Sequence, residues 1–252
     1  MKRKDFYFQH WMHVFEDNAN NVDDFAWNEE YMLSEREKNI VSESIRQFQR
    51  GESGEGKYMF QEAKKYVKQC EDDSYMYALK LFIHEEHRHA LYLQKFMQKQ
   101  HIPKQTGHWV DTFFRWLRHK GNLEVTIIVL VTAELIAAVY YKALANATQS
   151  LLLKQICKRI ISDEEIHIRF QSYALNRIQK DRNPVINFYM RLNYALLLGG
   201  TIPVVWFYHG KVFKAAGYNF ISFVLETLCV FDKSRRIIKA RDKELLQMEQ
   251  VW

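Results

Sequence analysis

The feature that most constrains this chain is a Glu-x-x-His step that occurs twice, as Glu86 with His89 and as Glu164 with His167. Residues three positions apart lie on one face of a helix, so each carboxylate would sit beside its imidazole. Each step also lies within apolar residues at helical spacing, which predicts that it faces a helical core. Ionisable groups are costly to bury without a partner. The repeat therefore predicts a helical protein that assembles charged groups in its interior.

A further glutamate among apolar residues at helical spacing precedes each step by about thirty residues, which places it on the preceding helix. Glu134 lies 30 residues before Glu164, and Glu55 lies 31 residues before Glu86. Antiparallel helices bring such groups to one level only if each is about equally far from the connecting turn. Glu55 meets this condition somewhat better than Glu52, which lies about one turn earlier on the same face. We therefore rank Glu55 first, with Glu52 as the alternative ligand or as a neighbouring acid.

Four carboxylates and two imidazoles that face inward from four helices are the ligand set of a dinuclear metal site in a bundle core. The absence of a thiolate among hard and borderline donors favours iron or manganese over structural zinc. We expect two metal ions, with iron first and manganese or a mixed pair as alternatives. A single such Glu could instead be a surface residue, and a lone His could be a satisfied core residue. The predicted ligands are Glu55 or Glu52, Glu86, His89, Glu134, Glu164 and His167.

The composition favours an all-α fold. The 252 residues include only three Pro and nine Gly, with long runs free of both, and 48% of them are apolar. The three cysteines form no Cys-x-x-Cys pair, so neither a disulfide framework nor a thiolate metal site is expected, and a reducing cytoplasm fits. The formal charge is +6, but acids and bases are interspersed, so the sequence gives no strong nucleic-acid signal.

The chain divides into three predicted parts. Residues 1–33 form a lead-in that packs on the bundle, residues 34–180 form the four-helix bundle with its metal site, and residues 181–252 form a C-terminal helical extension. Ser34 and Glu37 predict a capping box at the start of the first long helix. That helix is expected to run to about Gln69, interrupted by Gly51, Gly54 and Gly56.

Two later segments raise further expectations. Asn183 followed by Pro184 predicts the start of a fifth helix, which the stretch from Gly199 to Pro203 should kink or end. Residues 123–141 are apolar enough to raise the question of a membrane span. Because this stretch contains Glu134, a buried core helix that carries one ligand is the simpler interpretation.

As a set, the two Glu-x-x-His pairs with their preceding glutamates resemble the ferritin-like di-iron carboxylate superfamily over about residues 35–180. Gly51-Glu52-Ser53 followed by Tyr58, and the first Glu-x-x-His step followed by Ala90, are similar to the rubrerythrin branch. This local match aligns Glu52, rather than Glu55, with the first ligand of the family. The resemblance implies an antiparallel four-helix bundle, a dinuclear iron or manganese centre, and oxygen or peroxide chemistry. The chain departs from rubrerythrin in lacking a Cys-x-x-Cys rubredoxin module and in its long C-terminal tail.

These features predict an oxidase or oxygenase that activates dioxygen at the dinuclear site. Its partners would be dioxygen or peroxide and a small-molecule substrate that the sequence does not identify. Its electrons would come from an external donor or from the substrate itself, and Ala138 and Tyr141 could shape the substrate pocket. The alternatives are a non-catalytic metal-binding or peroxide-protection protein, a nucleic-acid-modifying protein, and a purely structural bundle. The sequence allows a homodimer.

Overall fold

The computed structural model describes residues 8–21, 23–54, 56–70, 72–104, 121–242 and 244–245. These ranges contain eight α-helices of 12 residues or more and no β-strand, which confirms the predicted all-α class. The helices are α1 (Gln9–Asn20), α2 (Glu35–Glu52), α3 (Lys57–Cys70), α4 (Ser74–Lys99), α5 (Leu123–Asn146), α6 (Leu151–Gln179), α7 (Pro184–Ala215) and α8 (Phe220–Lys239).

Local sequence sets where most of these helices begin. The capping box predicted for α2 is present: the Ser34 side chain accepts from the Glu37 backbone, and the Glu37 side chain accepts from the Ser34 backbone. Asn122, Ser150 and Asn183 likewise accept backbone N–H groups at the starts of α5, α6 and α7. These side chains satisfy donors that a helix start leaves without an internal partner.

The interruption predicted at the glycines of the first long helix is present, but it is a complete break between two helices. The first helix ends at Glu52 as α2, and the second begins at Lys57 as α3. Gly56 has a φ of +63°, which favours glycine, and a Cβ atom there would lie 3.0 Å from Ile83 Cδ1. His87 of α4 donates from Nε2 to the Gly54 carbonyl at 2.9 Å. The break is therefore part of the packing between α2, α3 and α4.

Four helical segments surround the common core: α2 with α3, α4, α5 and α6. The remaining described helices lie around them, with α1 on α4, α7 on α5 and α2, and α8 on α6 and α5. From α1, Phe8, Trp11 and Phe15 enter the core. The division of the chain into parts at residues 33 and 180 stays a prediction.

Of the two alternatives predicted for Gly199 to Pro203, a kink or an end of helix α7, the end was wrong. The helix continues to Ala215 with Pro203 inside it. Proline removes one helical hydrogen bond, but the segment that follows is held by burial of Val205, Val212 and Phe213. Packing of this segment on the core therefore outweighs the helix-breaking effect of Pro203.

Helix α5 is long and apolar enough to cross a membrane by length and composition, and it is the one described helix that passes this test. However, 83% of its most apolar window is buried within the protein. Its Glu134 is only 3% exposed and faces the interior. These are the properties of the core helix that the sequence predicted.

Candidate metal centre

The two Glu-x-x-His steps meet in the middle of the bundle. Ligand atoms of Glu86, His89, Glu164 and His167 all lie within 4.8 Å of one another. Both steps occupy the interiors of their helices, α4 and α6, so the backbone that carries them is fully hydrogen-bonded. Both imidazoles are completely buried. The structure thus contains a buried carboxylate and histidine cluster that could bind metal.

Two of the preceding glutamates border the same cluster. Glu52, the last residue of α2, places Oε2 3.9 Å from His89 Nδ1. Glu134, in the middle of α5, places Oε2 3.9 Å from His167 Nδ1. Glu55, which the spacing argument ranked first, lies outside the described residues. The assignment of individual ligands stays a prediction.

Both imidazoles have the same orientation. Nδ1 of His89 lies 3.9 Å from the nearest oxygens of Glu52, Glu86 and Glu164. Nδ1 of His167 lies 2.9 Å from Glu86 Oε1 and 3.6 Å from Glu164 Oε2. The Nδ1 atoms therefore face the centre of the cluster, and the Nε2 atoms face away from it.

An outer pair of acids holds the two Nε2 atoms in a crossed arrangement. His89 Nε2 lies 2.9 Å from Asp163 Oδ2, and His167 Nε2 lies 2.9 Å from Glu85 Oε2. An ionised carboxylate only accepts hydrogen bonds, so Nε2 carries a proton, and a metal ion that displaced the second proton of the ring would meet the Nδ1 lone pair. Such carboxylate partners orient metal-binding histidines and increase their basicity. Each half of the bundle thus orients the histidine of the other half.

Asn18 of α1 joins the two outer acids. Its Nδ2 donates to Glu85 Oε1 at 2.6 Å and to Asp163 Oδ1 at 2.8 Å. Arg88 lies 3.2 Å from Glu85 Oε1, and Arg159 donates from Nε to Asp163 Oδ2 at 3.1 Å. Two guanidinium groups therefore compensate the charges of the two outer acids.

This outer layer was not predicted, although the sequence contains a signal for it. An acid directly precedes the glutamate of each step, giving Glu85-Glu86 and Asp163-Glu164 in the same register. The contribution of Asn18 had no comparable signal, because it comes from a short helix far away in the sequence. Tyr141, predicted to shape a pocket, instead donates from its hydroxyl to Glu52 Oε1 at 2.6 Å.

The polar atoms that face the centre lack protein partners. Within the described part of the chain, Glu86 Oε1, both Glu164 oxygens and the Nδ1 atoms of His89 and His167 make no hydrogen bond of acceptable geometry. Buried polar groups in native proteins are nearly always satisfied, and exceptions suggest a missing ligand or ion. Five such atoms around one point fit a bound cation.

The electrostatics of the cluster also favour a cation. Burial and the nearby carboxylates of Glu134 and Glu52 raise the pKa of Glu86 to about 8. Burial alone would lower the pKa of His89, but the hydrogen bond to Asp163 and the Glu52 carboxylate outweigh it and raise the pKa to about 9. Both shifts show that Glu86 and His89 hold protons more tightly than exposed groups do. A metal ion would replace these protons as the compensating positive charge.

A cavity of about 320 Å³ leads from the surface to two of the cluster carboxylates. It opens at the break between α2 and α3, where Ser53, Gly54 and Gly56 line it, and it reaches Glu52 and Glu86. Its apolar wall comprises Met59, Phe82, Ile83 and Leu130. The arrangement gives a small molecule a route to the cluster that is partly apolar.

Comparison with known proteins adds no family to this description: the sequence matches no protein-family model, and a search of curated proteins finds no similar sequence. The buried cluster is consistent with the Glu-x-x-His motifs of ferritin-like proteins.

Proposed function

We propose that this protein is a ferritin-like oxidoreductase in which two metal ions, iron first, activate dioxygen to oxidise a small organic molecule. The observation that carries the proposal is a difference in charge between the two layers of the cluster. The outer acids, Glu85 and Asp163, are compensated by Arg88 and Arg159. The inner carboxylates have no such compensation.

The inner layer contains Glu52, Glu86, Glu134 and Glu164. Among the described residues, only the two imidazoles bring a basic nitrogen within 4.0 Å of these carboxylates. Four carboxylates ionised together at this buried site would repel one another and cost several kcal/mol each in desolvation, so the cluster without metal has to hold protons instead. Two divalent ions would neutralise all four charges, which supports a dinuclear site.

The donor set supports iron or manganese. The inner layer offers carboxylate oxygens and two imidazole nitrogens, without a thiolate. Glu52, Glu86, His89, Glu134, Glu164 and His167 would hold the ions, with Glu52 as the first-half ligand because it borders the cluster. Such ions, when bound, can pass electrons to dioxygen and share the charge that develops.

The surrounding side chains would control the chemistry. Glu85 and Asp163 keep both Nδ1 lone pairs directed at the centre, and Phe82 packs its ring edge-on against His167 with centroids 4.7 Å apart. The Tyr141 hydroxyl keeps its proton and donates a hydrogen bond to Glu52 Oε1, since burial and the Glu52 carboxylate raise the pKa of Tyr141 well above the usual value. These contacts would therefore fix the orientation of the ligands around the centre.

The cavity at the break between α2 and α3 supports an organic substrate over simple metal storage. It places apolar side chains beside Glu52 and Glu86, where a substrate carbon would meet the oxidising centre. Among ferritin-like proteins, the rubrerythrin branch is the proposed relative, because Gly51-Glu52-Ser53 with Tyr58 and the first Glu-x-x-His step followed by Ala90 resemble it. Electrons would come from an external donor or from the substrate itself, because the sequence has no Cys-x-x-Cys module.

The test is metal analysis of the purified protein and of two variants, His89→Ala and His167→Ala, after anaerobic loading with ferrous iron. We expect about two equivalents per chain in the wild type and a loss of at least half in each variant. His84→Ala is the matched control, since His84 lies on the same helix as His89 but is exposed. Full occupancy in both variants would refute the site.

Oxygen chemistry is tested separately on the loaded protein. Admission of air should consume dissolved oxygen and change the absorption spectrum of the wild type, but not of His167→Ala. Metal binding without oxygen consumption, or oxidation by peroxide alone, would leave the metal site intact and replace the oxidase proposal with metal binding or peroxide protection.

A further inference from the structure

The outer faces of α7 and α8 carry an unusual concentration of exposed apolar side chains. Eleven of the fifteen strongly exposed large apolar residues in the described part of the chain lie between residues 185 and 228. Examples are Phe188 (62% exposed), Leu196 (63%), Phe207 (80%) and Ile221 (68%). We call these eleven side chains the outer apolar face.

The two helices present this face side by side. They pack antiparallel, because Tyr194 contacts Phe231 and Trp206 contacts Phe223. Their inner sides are fixed to the bundle, with Ser234 of α8 bonded to Ser172 of α6 at 2.7 Å. The outer apolar face is therefore held in place and does not need to order itself on binding.

The size of the face is that of a protein interface. With about 150–250 Å² per large aromatic side chain and somewhat less per aliphatic one, the observed exposures sum to roughly 1,000 Å². The largest apolar patch on a typical monomer is about 300–600 Å². A standard protein–protein interface covers about 800 Å² on each partner. The outer apolar face is thus large enough for a stable dimer.

The middle of this face has two consecutive glycines. Gly199 and Gly200 are exposed, and a Cβ atom built on either would meet nothing within 4 Å. Each glycine in a helix interior costs about 1 kcal/mol relative to alanine. Small residues are used where two helices cross at close range. The midpoint of α7 (Pro184–Ala215) falls between these two glycines.

We propose that the outer apolar face binds a second copy of this chain in a two-fold symmetric dimer whose α7 helices cross antiparallel at Gly199 and Gly200. A two-fold axis at this point places residue i opposite residue 399 − i. Leu192 then faces the partner's Phe207, and Leu196 faces the partner's Pro203. All of these positions are exposed in the single chain, so each is free to contact its counterpart across an isologous interface.

A lipid surface is the competing occupant. Exposed basic residues lie near the ends of the face, including Lys211, Lys214, Arg235 and Arg236, and they would suit anionic headgroups. However, a lipid surface gives no role to two costly glycines at the centre of α7. The second copy explains both the apolar area and the glycines, and it does not depend on the metal site.

The first test is the solution mass of the purified full-length protein, measured by light scattering after size-exclusion chromatography. We expect a dimer for the wild type and a monomer for Leu196→Arg. Leu91→Arg is the matched control, because Leu91 is 44% exposed in the interior of α4, and it should remain a dimer. Circular dichroism of both variants checks that they fold.

A monomeric wild type would overturn the proposal, as would a dimer that survives Leu196→Arg. Sedimentation with phosphatidylglycerol vesicles separates the competing occupant: a monomeric wild type that sediments with vesicles would assign the face to lipid.

Disulfide crosslinking tests the antiparallel crossing in a background with Cys70 and Cys229 changed to serine. Leu192→Cys with Phe207→Cys should give a covalent dimer under mild oxidation. Leu192→Cys alone should not, because the two copies of residue 192 would lie 15 positions, about 22 Å, apart along the helix axis. A disulfide requires Cα atoms about 4.4–6.8 Å apart. Crosslinking by the single variant, or none by the double variant, would contradict the proposed geometry.

Discussion

The two halves of the bundle supply the same kinds of group to the cluster, but they are built differently. The second half, α5 and α6, places Glu134, Glu164 and His167 in the interiors of two unbroken helices. The first half places Glu86 and His89 in the interior of α4, but places Glu52 at the last residue of α2. One half is therefore sealed, and the other has an opening beside a candidate ligand.

This difference shows how a repeated motif can serve two purposes. The chemistry of the centre constrains only the groups that face it, so the backbone next to them is free to differ. In the sealed half, Leu135 follows Glu134 and is fully buried. In the open half, Glu52 is followed by Ser53 and Gly54, which line the cavity. We infer that the sealed half fixes the geometry and the open half admits the substrate.

The largest expected effect is on the free energy of unfolding, and it compares a fully buried position of α5 with a position of the same helix that lines the cavity. Leu135→Ala should lower the free energy of unfolding by about 2–5 kcal/mol, the usual cost of a cavity in a close-packed core. Leu130→Ala should cost about 1 kcal/mol, because Leu130 is only partly buried and already borders open space. Urea unfolding of the metal-free protein measures both values. Equal losses would show that side chains lining the cavity are packed as tightly as those of the closed core.

The next effect concerns the outer acids that link the halves. Asp163→Asn and Glu85→Gln should each weaken metal binding by about 10–100-fold, because each loosens the orientation of one histidine. Competition against a chelator of known affinity measures the change.

The control for these variants is Glu165→Gln, since Glu165 is exposed and directly follows Glu164. Metal affinity in this control should equal that of the wild type. An unchanged affinity in both Asp163→Asn and Glu85→Gln would show that the crossed hydrogen bonds do not support the site.

The smallest effect concerns Glu37, which connects the start of α2 with the turn between α5 and α6. Burial would raise the pKa of Glu37, but hydrogen bonds from Tyr31, Gln149 and Ser34 outweigh it and lower the pKa to about 2, from an ordinary value of 4.5. A lowered pKa in the folded state stabilises the protein above pH 4.5, and this contribution is lost as the pH falls towards 2. It is on the order of 1 kcal/mol or less, as for other exposed caps.

Unfolding measured between pH 7 and pH 3 tests this contribution. Glu37→Gln should be slightly less stable at pH 7 and should lose less stability on acidification than the wild type. Identical pH profiles would show that Glu37 does not hold the two halves together.

The sequence predicted the features that depend on local periodicity and on single side chains. Ser34 and Asn183 marked helix starts because a cap is a local interaction. The two Glu-x-x-His steps were found because helical geometry fixes their spacing, and the structure brings them together. The burial of α5 followed from a glutamate within an apolar run.

Features that depend on distant packing were not predicted correctly. Glycines in the first helix suggested a distortion, but the full break depends on Gly56 meeting Ile83 and on His87 meeting Gly54. The stretch from Gly199 to Pro203 suggested a kink or an end in α7, but burial of the following turns carries the helix onward. No local pattern shows that Glu85 bonds to the histidine of the other half.

Asn18 also sets a condition on the order of events during synthesis. Its two partners, Glu85 and Asp163, lie 67 and 145 residues later in the chain. At about 5–20 residues per second, the second partner leaves the ribosome roughly 7–30 s after Asn18. Until then α1 cannot close the outer layer, and the glutamates of the first half have no histidine from α6 beside them. A nascent chain therefore cannot complete the centre before most of the protein has been made.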